Sequence, residues 1–418
     1  EYVRPLSIHS LIVYLGLPIS LLTYSSESLF CGSWIGKIDL KVGDGALVKN
    51  LSDAKVLGEI MVEIGKHYIA TSIIYLIIFF FMMFCPPYAN NVTNEYIDYS
   101  VIFGFFVGGY ILFAPIFYCL FRPKSILESR SLAIVGYFKR QFVKGLPLQA
   151  YLNNIAPTEK EKQAMVILFM QVFFVTFTSH ILCENYIPHL SYNIDFLFIM
   201  FDQARSLTAS NGLAQGLGQF IIDTSDIWLK LIFTVSTFVY LISYLSDTAI
   251  FKNKIKSVDT TPLGILSCIC CYYPVTILTY TFLKVTNESL LAVNNNALLI
   301  TLNLIIIFAN LGSLIAILRL GTKAGNLTNR GIVTKYPYNI VRHPDYAMQI
   351  IYILATTVPL YLNSSIPPFE KFMMTLTTFA WIYIYYLRAI TEERHLFQDE
   401  DYQEYCKKVR YRFIPKLF

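Results

Sequence analysis

Long apolar blocks separated by short polar stretches dominate the pattern of residues along this chain. A helix that crosses a bilayer needs about 20 mostly apolar residues. Nine blocks approach that length, and they predict spans at roughly 7–24, 67–85, 99–121, 164–182, 226–246, 263–283, 297–319, 345–362 and 370–389. The pattern therefore predicts an all-α fold, a polytopic bundle of about nine transmembrane helices, with eight to ten as the range.

One further block, residues 196–222, starts apolar and then becomes rich in glycine and serine. We interpret it as a re-entrant or interfacial element and leave it out of the count of spans.

The loops between the predicted spans differ in charge, and this difference predicts their sides. Residues 122–163 carry eight Lys/Arg against three acids, and 320–344 is also basic. Residues 183–225 contain one arginine against four acids, and 86–98 contain two acids and no base. Basic loops face the cytoplasm or its organellar equivalent. The nine spans then alternate without conflict, which places the N-terminus outside and the C-terminus inside.

The long inner loop, residues 122–163, mixes apolar and basic residues at helical spacing. This spacing predicts an amphipathic helix on the membrane surface, with Lys139, Arg140 and Lys144 near lipid phosphates. A role in docking the substrate is the alternative.

Composition excludes several other classes of protein. The 418 residues would suit two or three soluble domains, but 55% are apolar and only 15% are charged. The net charge of +5 is sorted by side, which indicates membrane orientation and no nucleic-acid partner. Of the eight cysteines only Cys268, Cys270 and Cys271 cluster, among apolar neighbours and without a second CxxC to pair with them. We therefore interpret the cysteines as small buried hydrophobic residues and predict no metal site.

Ionisable residues lie next to the last two predicted spans, at the ends that are predicted to face the inside. Gly321, Gly325 and Gly331 interrupt the helix after the seventh span, and the next helix is predicted to begin at Pro344. Arg342-His343 would then lie at a helix N-terminus on the inner face.

The second polar cluster follows the ninth span, where Arg388 precedes the carboxylate pair Glu392-Glu393. A short turn near 363–368 joins spans eight and nine into an antiparallel hairpin. Both clusters should therefore meet at the inner mouth of this hairpin.

The order of these motifs resembles a known family. Residues 341–346 read VRHPDY, 391–396 read TEERHL, and 409–415 read VRYRFIP. This order is similar to the C-terminal region of integral-membrane methyltransferases related to isoprenylcysteine carboxyl methyltransferase and the phospholipid N-methyltransferases. The resemblance covers about 320–418. Ala347-Met348-Gln349 departs from it, because family members often carry a small residue, commonly glycine, at this place.

The resemblance implies an enzyme that uses S-adenosylmethionine and acts on a lipid-like or prenylated acceptor, by carboxylate O-methylation or amine N-methylation. It implies cofactor contacts for Tyr338, His343, Pro344, Tyr346, Arg388, Glu392 and Glu393. Arg342 would orient an acidic group, and His343 or Glu393 would serve as the base that an amine or hydroxyl acceptor needs. These last three residues, Arg342, His343 and Glu393, are the predicted catalytic residues.

The chain is thus predicted to have a membrane extension at 1–255 and a methyltransferase-like membrane domain at 256–418, with the cofactor segment at 321–418. Two alternatives stay open. One is a non-enzymatic subunit whose N-terminal spans bind partners in a membrane complex, and the other is an NADPH enzyme similar to the sterol reductases. Three membranes stay open: a bacterial inner membrane, the endoplasmic reticulum and the membrane of an organelle.

Overall fold

A computed structural model describes residues 51–84, 99–121, 129–141, 156–182, 190–247, 251–272, 275–276, 295–363 and 366–416. These residues are mostly helical, so the prediction of an all-α protein is confirmed. The first predicted span, 7–24, lies outside them.

The described residues form eleven α-helices. In chain order these are α1 Leu51–Phe84, α2 Tyr99–Phe121, α3 Arg130–Gln141, α4 Glu159–Ile181, α5 Leu190–Asn211, α6 Leu213–Leu245, α7 Pro262–Ile269, α8 Asn296–Leu320, α9 Pro344–Leu362, α10 Pro368–Leu396 and α11 Glu400–Lys408. A 3₁₀ turn at Gly321–Lys323 extends α8, and two short strands, β1 and β2, lie at Ser257–Val258 and Thr328–Asn329.

Among the described residues, four helical segments are long and apolar enough to cross a bilayer, which indicates a membrane-embedded chain. They are Met61–Phe84, Glu159–Ile181, Leu213–Leu245 and Asn296–Lys323. A shorter apolar helical stretch lies at Phe103–Tyr118. The predicted spans 345–362 and 370–389 are also helical, as α9 and α10, although they are not among these four.

Two predicted segments differ from the observed helices. The stretch 196–222 is helical except at Gly212, and the hydroxyls of Ser206, Thr208 and Ser210 bond to carbonyls of their own helix. Its interpretation as a re-entrant or interfacial element stays a prediction. The span predicted at 263–283 begins with α7, which ends after eight residues at Ile269. Most of the rest of that span lies outside the described residues.

The chain divides into two compact units. The first comprises Glu1–Glu184 and Leu241–Thr260, and the second comprises Asn185–Tyr240 and Thr261–Phe418. The predicted functional division into 1–255 and 256–418 stays a prediction.

In the first unit, α1 packs against α2 and α3, and α4 packs against α2 and α3. Its core contains two clusters of buried side chains. These are Ile64, Tyr110, Ala114 and Tyr118, and then Met82, Phe103, Val107 and Val172. Helices in a bilayer associate through van der Waals packing and interhelical hydrogen bonds, so close contacts of this kind hold the unit together.

Polar side chains fasten the start of α3 to α1. Nδ1 of the fully buried His67 lies 2.5 Å from Oγ of Ser129, and its Nε2 lies 3.0 Å from the hydroxyl of Tyr118. One turn later on α1, the Thr71 hydroxyl donates to Oγ of Ser131 over 2.7 Å. Buried polar groups are stable only when they are hydrogen-bonded, so these contacts define where α3 begins.

Two ion pairs hold the rest of α3. Arg130 donates to the buried carboxylate of Asp247 over 2.7 Å. Both terminal nitrogens of Arg140 donate to Glu161, which also closes the capping box of α4. Arg140 thus has a carboxylate partner within its own unit. The predicted place of Lys139 and Arg140 near lipid phosphates stays a prediction, and Lys144 lies outside the described residues.

In the second unit, α8 packs closely against α9, and α10 packs against α9 and α7. The close approach of α8 and α9 depends on Gly312. A Cβ at this position would lie 2.7 Å from the sulfur and 2.9 Å from Cγ of Met348. The bulky Met348, which departs from the family pattern, thus lies against α8 at a position that has no side chain.

We expect Gly312→Ala to lower the free energy of unfolding by about 1–3 kcal/mol, because the helices must separate or Met348 must leave its rotamer. Thermal unfolding of the detergent-solubilised chain measures this. Gly108→Ala is the matched control, since a Cβ on this helical glycine would meet nothing within 4 Å. Restored stability in the double variant with Met348→Ala would confirm the contact, and equal stability of both alanine variants would contradict it.

Candidate functional site

The α9–α10 hairpin brings the two predicted polar clusters together. As predicted, α9 begins with Pro344 at its first position, and His343 is the preceding cap residue. Asp345 in the first turn of α9 binds the hydroxyl of Ser313 on α8, and Gln349 donates to the same hydroxyl over 3.1 Å. These contacts fix the start of α9, and with it the direction of the Arg342-His343 turn.

Glu393 is the centre of a cluster of positive and polar donors. Its Oε1 accepts from Nε of Arg342 over 2.8 Å and lies 3.1 Å from Nε2 of His343. Its Oε2 accepts from Nε of Arg412 over 2.9 Å. Both oxygens of this carboxylate are therefore occupied by side chains of the protein.

The pKa of the Glu393 carboxyl reflects these contacts. Burial alone would raise it, but hydrogen bonds from His343 and Arg342 outweigh burial and lower the pKa to about 2. Burial would lower the pKa of the Arg342 guanidinium, but the Glu393 carboxylate outweighs this and raises it. The pair is thus held in its ionised form, and because Glu393 accepts, Nε2 of His343 carries the proton that it donates.

Glu392 has a different environment, although it is the neighbouring residue. Its side chain is 39% exposed, against 12% for Glu393. One oxygen, Oε2, accepts from the hydroxyl of Tyr346 over 2.9 Å, and Nδ1 of His343 lies 3.8 Å from that oxygen. Within the described part of the chain nothing donates to Oε1, so one carboxylate oxygen is available to a ligand.

Aromatic rings line the same place. The ring of His343 stacks on that of Tyr346 with centroids 5.3 Å apart and planes 6° apart, and Phe413 covers the histidine at 6.0 Å. The ring centroid of Tyr385 lies 5.6 Å from that of Tyr346. The guanidinium carbon of Arg388 lies 5.0 Å from the Tyr346 centroid, within the range of a cation–π interaction.

Arg388 is a buried cation without a carboxylate partner among the residues that the structure describes. It is only 9% exposed, and its hydrogen-bond acceptor is Oδ1 of Asn326, at 2.5 Å from Nη2. Asn326 in turn donates to the hydroxyl of Tyr272 over 3.0 Å. Burying a charge without an ion-pair partner is costly, so this guanidinium depends on its hydrogen bond to Asn326 and on the neighbouring aromatic rings.

Tyr338 lies apart from these side chains. It belongs to a core cluster with Ala316, Tyr402, Tyr405 and Val409, and its hydroxyl donates to the Ala316 carbonyl over 3.4 Å. Burial raises the pKa of the Tyr338 phenol well above its usual range. Its predicted role in the wall of a cofactor pocket stays a prediction, and the structure places its side chain in the core.

The C-terminal tail contributes contacts that the sequence did not reveal. Residues 409–413 run along the Arg342-His343 turn, where Nη1 of Arg342 donates to the carbonyls of Val409 and Arg410 over 3.0 and 2.8 Å. The backbone amides of Arg342 and His343 donate to the carbonyls of Tyr411 and Arg412, both over 2.9 Å. The VRYRFIP motif was a sequence signal that could have pointed to Arg412 as a site residue. No motif in the sequence pointed to Asn326.

Glycine at 331 shapes the loop that carries Asn326. Gly331 has a φ of 94°, a conformation that favours glycine, and its amide donates to Oδ1 of Asn329 over 2.9 Å. Asn329 also donates to Asp399 over 2.9 Å, which ties the loop to the turn before α11. The role of Gly331 is therefore in the backbone conformation of this loop.

Comparison of the chain with family models, curated proteins and solved structures finds no match. Evidence for the function of the chain accordingly comes from the geometry of this site.

Proposed function

We propose that the chain is an integral-membrane, S-adenosylmethionine-dependent methyltransferase that acts on a lipid-like or prenylated acceptor. One observation carries the proposal. A buried guanidinium without a carboxylate partner in the described residues, Arg388, and a half-exposed carboxylate with an available oxygen, Glu392, both contact Tyr346. A site with opposite charges on one aromatic ring suits a zwitterionic, partly aromatic ligand.

The residues of the site fit this cofactor. Arg388 matches its carboxylate in charge and hydrogen-bonding geometry. Oε1 of Glu392 would accept from its ammonium group or from a ribose hydroxyl. The rings of Tyr346 and Tyr385 offer faces that attract a sulfonium or stack on a base.

The bound cofactor would supply an electrophilic methyl group. The protein then has to align the acceptor and exclude water more than it has to provide a strong base. Glu393 is unsuited to act as a base, because both of its oxygens are bonded and its pKa is about 2. We therefore assign Glu393 and Arg342 to positioning.

His343 is the better candidate for a proton acceptor. Its Nε2 donates to Glu393, so Nδ1 of the neutral ring carries a lone pair. Nδ1 lies 3.8 Å from Oε2 of Glu392, beside the available oxygen of that carboxylate. An amine acceptor would lose its proton to one of these two groups, whereas a carboxylate acceptor would need neither.

We further propose a multi-pass topology of nine spans, with the N-terminus outside and the C-terminus inside. Contacts within each unit support it, because residues predicted on the inner face lie together. In the first unit His67 meets Ser129 and Arg130 meets Asp247. In the second unit Arg342 meets Glu393.

The test of the proposed function is ligand binding by the full chain in detergent, with S-adenosylmethionine and NADPH compared by equilibrium dialysis. We expect S-adenosylmethionine to bind and Glu392→Gln to weaken it by about tenfold, the effect of one hydrogen bond to a charged group. Glu370→Gln is the matched control, since this exposed glutamate lies at the opposite end of the same helix.

Three outcomes would contradict the proposal. Binding of NADPH alone would favour a reductase. Failure of either ligand to bind the intact chain would favour a non-enzymatic membrane subunit. Equal weakening by Glu392→Gln and Glu370→Gln would remove Glu392 from the site even if the cofactor binds.

A further inference from the structure

The C-terminal strap, residues 409–413, is attached to the candidate site at every one of its residues. Its first four backbone carbonyls accept from Arg342 and His343, two from the Arg342 side chain and two from the backbone amides. The side chains of Arg412 and Phe413 then reach Glu393 and His343.

We propose that Arg412 and Phe413 are positioning residues, and that the candidate site is assembled only while the C-terminal strap is docked. The proposal rests on the proposed function for its ligand. The contacts that hold the strap on the Arg342-His343 turn need no ligand.

Arg412 is the third side chain that contacts the Glu393 carboxylate. Arg342 and His343 both approach Oε1, and among the described residues Arg412 alone donates to Oε2, with Nε 2.9 Å away. Without Arg412 the carboxylate can rotate about its last torsion, because donors then remain at one oxygen only. That rotation would release Nε2 of His343, whose partner in the described residues is Oε1.

Phe413 fixes the same histidine from another direction. The ring of His343 lies parallel to that of Tyr346, at 6°, and Phe413 contacts it at an angle of 42°. A ring held between two aromatic side chains and one hydrogen bond has a single orientation. The direction of Nδ1, the atom available to a substrate, is therefore set by the strap.

The test replaces Arg412 by glutamine in the full chain. Hydrogen exchange at the amides of Arg342 and His343, which donate to strap carbonyls, reports docking without any ligand. We expect exchange at these amides to accelerate by about tenfold or more, and the Kd for S-adenosylmethionine to rise by about tenfold. Arg412→Lys keeps a charged donor and should recover most of both effects.

Arg410→Gln is the matched control, because the Arg410 side chain is exposed and only its backbone carbonyl contacts Arg342. It should leave exchange and binding within about twofold of the original chain. Phe413→Leu, with the exposed Ile414→Ala as its control, is the second variant if Arg412→Gln does not fold. Phe413→Leu should keep the fold and weaken binding several-fold.

The outcomes separate the strap from the proposed function. Unchanged amide exchange in Arg412→Gln and Phe413→Leu would overturn the proposal, whatever the chain binds. Faster exchange with unchanged cofactor affinity would also overturn it, because the strap would then be structural only. If the unaltered chain binds no S-adenosylmethionine, the proposed function fails, and amide exchange at Arg342 and His343 alone then decides whether Arg412 and Phe413 hold the site in place.

Discussion

Replacing Glu393 with glutamine is expected to destabilise the chain strongly, whereas the same change at the neighbouring Glu392 should leave its stability almost unchanged. The Glu393 side chain is 12% exposed and binds Arg342, which is 10% exposed. Removing one partner of a buried ion pair costs about 3–5 kcal/mol, because the other charge is left uncompensated. Glu392 is 39% exposed and accepts one hydrogen bond, so its loss should cost about 1 kcal/mol or less.

The pH dependence of unfolding provides the second measurement. The pKa of Glu393 is lowered to about 2 from an ordinary value of 4.5, so its ionised form stabilises the folded chain above about pH 4.5. That contribution is lost as the pH falls from 4.5 towards 2, and it amounts to about 3 kcal/mol at most. The unaltered chain should therefore lose more stability across this window than Glu393→Gln does.

Glu392→Gln is the control in both measurements, because it removes the same charge from the adjacent position. It should keep the acid dependence of the unaltered chain. Equal destabilisation by the two substitutions, or an equal acid dependence in all three proteins, would contradict the assignment of Glu393 as the centre of the cluster.

The meeting of the two polar clusters was predictable because it follows from connectivity. A short turn between two apolar segments makes a hairpin, and residues at its open end must be neighbours. Pro344 marked the start of α9 correctly, since proline suits the first helical position. Local rules were sufficient for these features.

The difference between the buried, ion-paired Glu393 and the more exposed Glu392 was not predictable in this way. Adjacent residues on a helix point about 100° apart, and which one is buried depends on what packs there. Here the tail folds back and places Arg412 against Glu393. Contact between residues 19 positions apart in the chain has no periodic signal in the sequence.

The pairing of Gly312 with Met348 has the same cause. Met348 looked like a departure that would change the pocket, but the side chain lies against a glycine of the preceding helix. Similarly, Arg140 binds Glu161, a partner that the basic and apolar spacing of its loop did not indicate. The role of a bulky or charged residue is ambiguous from that residue alone, because in both cases the partner that decides it lies tens of residues away in the chain.

Replacing Arg388 with methionine is the other large effect that we expect, and it should change binding rather than stability. The guanidinium is 9% exposed and has no carboxylate partner among the described residues, so burying it is unfavourable for the fold. Methionine fills a similar volume without charge. The free energy of unfolding should therefore stay within about 1 kcal/mol of the original or rise, the loss of the Asn326 hydrogen bond being the opposing cost.

The ligand that tests this role is decarboxylated S-adenosylmethionine, which lacks only the carboxylate. The unaltered chain should bind S-adenosylmethionine more tightly than this analogue by about tenfold to a hundredfold, the value of a charge-assisted pair in a buried site. Arg388→Met should bind the two ligands equally. Arg394→Met is the matched control, because this arginine is exposed on the same helix and should preserve the preference.

A different result would assign Arg388 to the fold. If Arg388→Met unfolds the chain by about 3 kcal/mol or more and leaves the preference between the two ligands intact, the guanidinium is compensated within the protein. The cation–π contact with Tyr346 and the hydrogen bond to Asn326 would then be the interactions through which Arg388 stabilises the fold. If Arg388 binds the ligand's carboxylate, Arg388→Met removes the ligand preference and leaves the free energy of unfolding unchanged or higher, because an unpaired buried charge destabilises the empty protein. If Arg388 stabilises the fold, the same substitution lowers the free energy of unfolding and leaves the ligand preference unchanged.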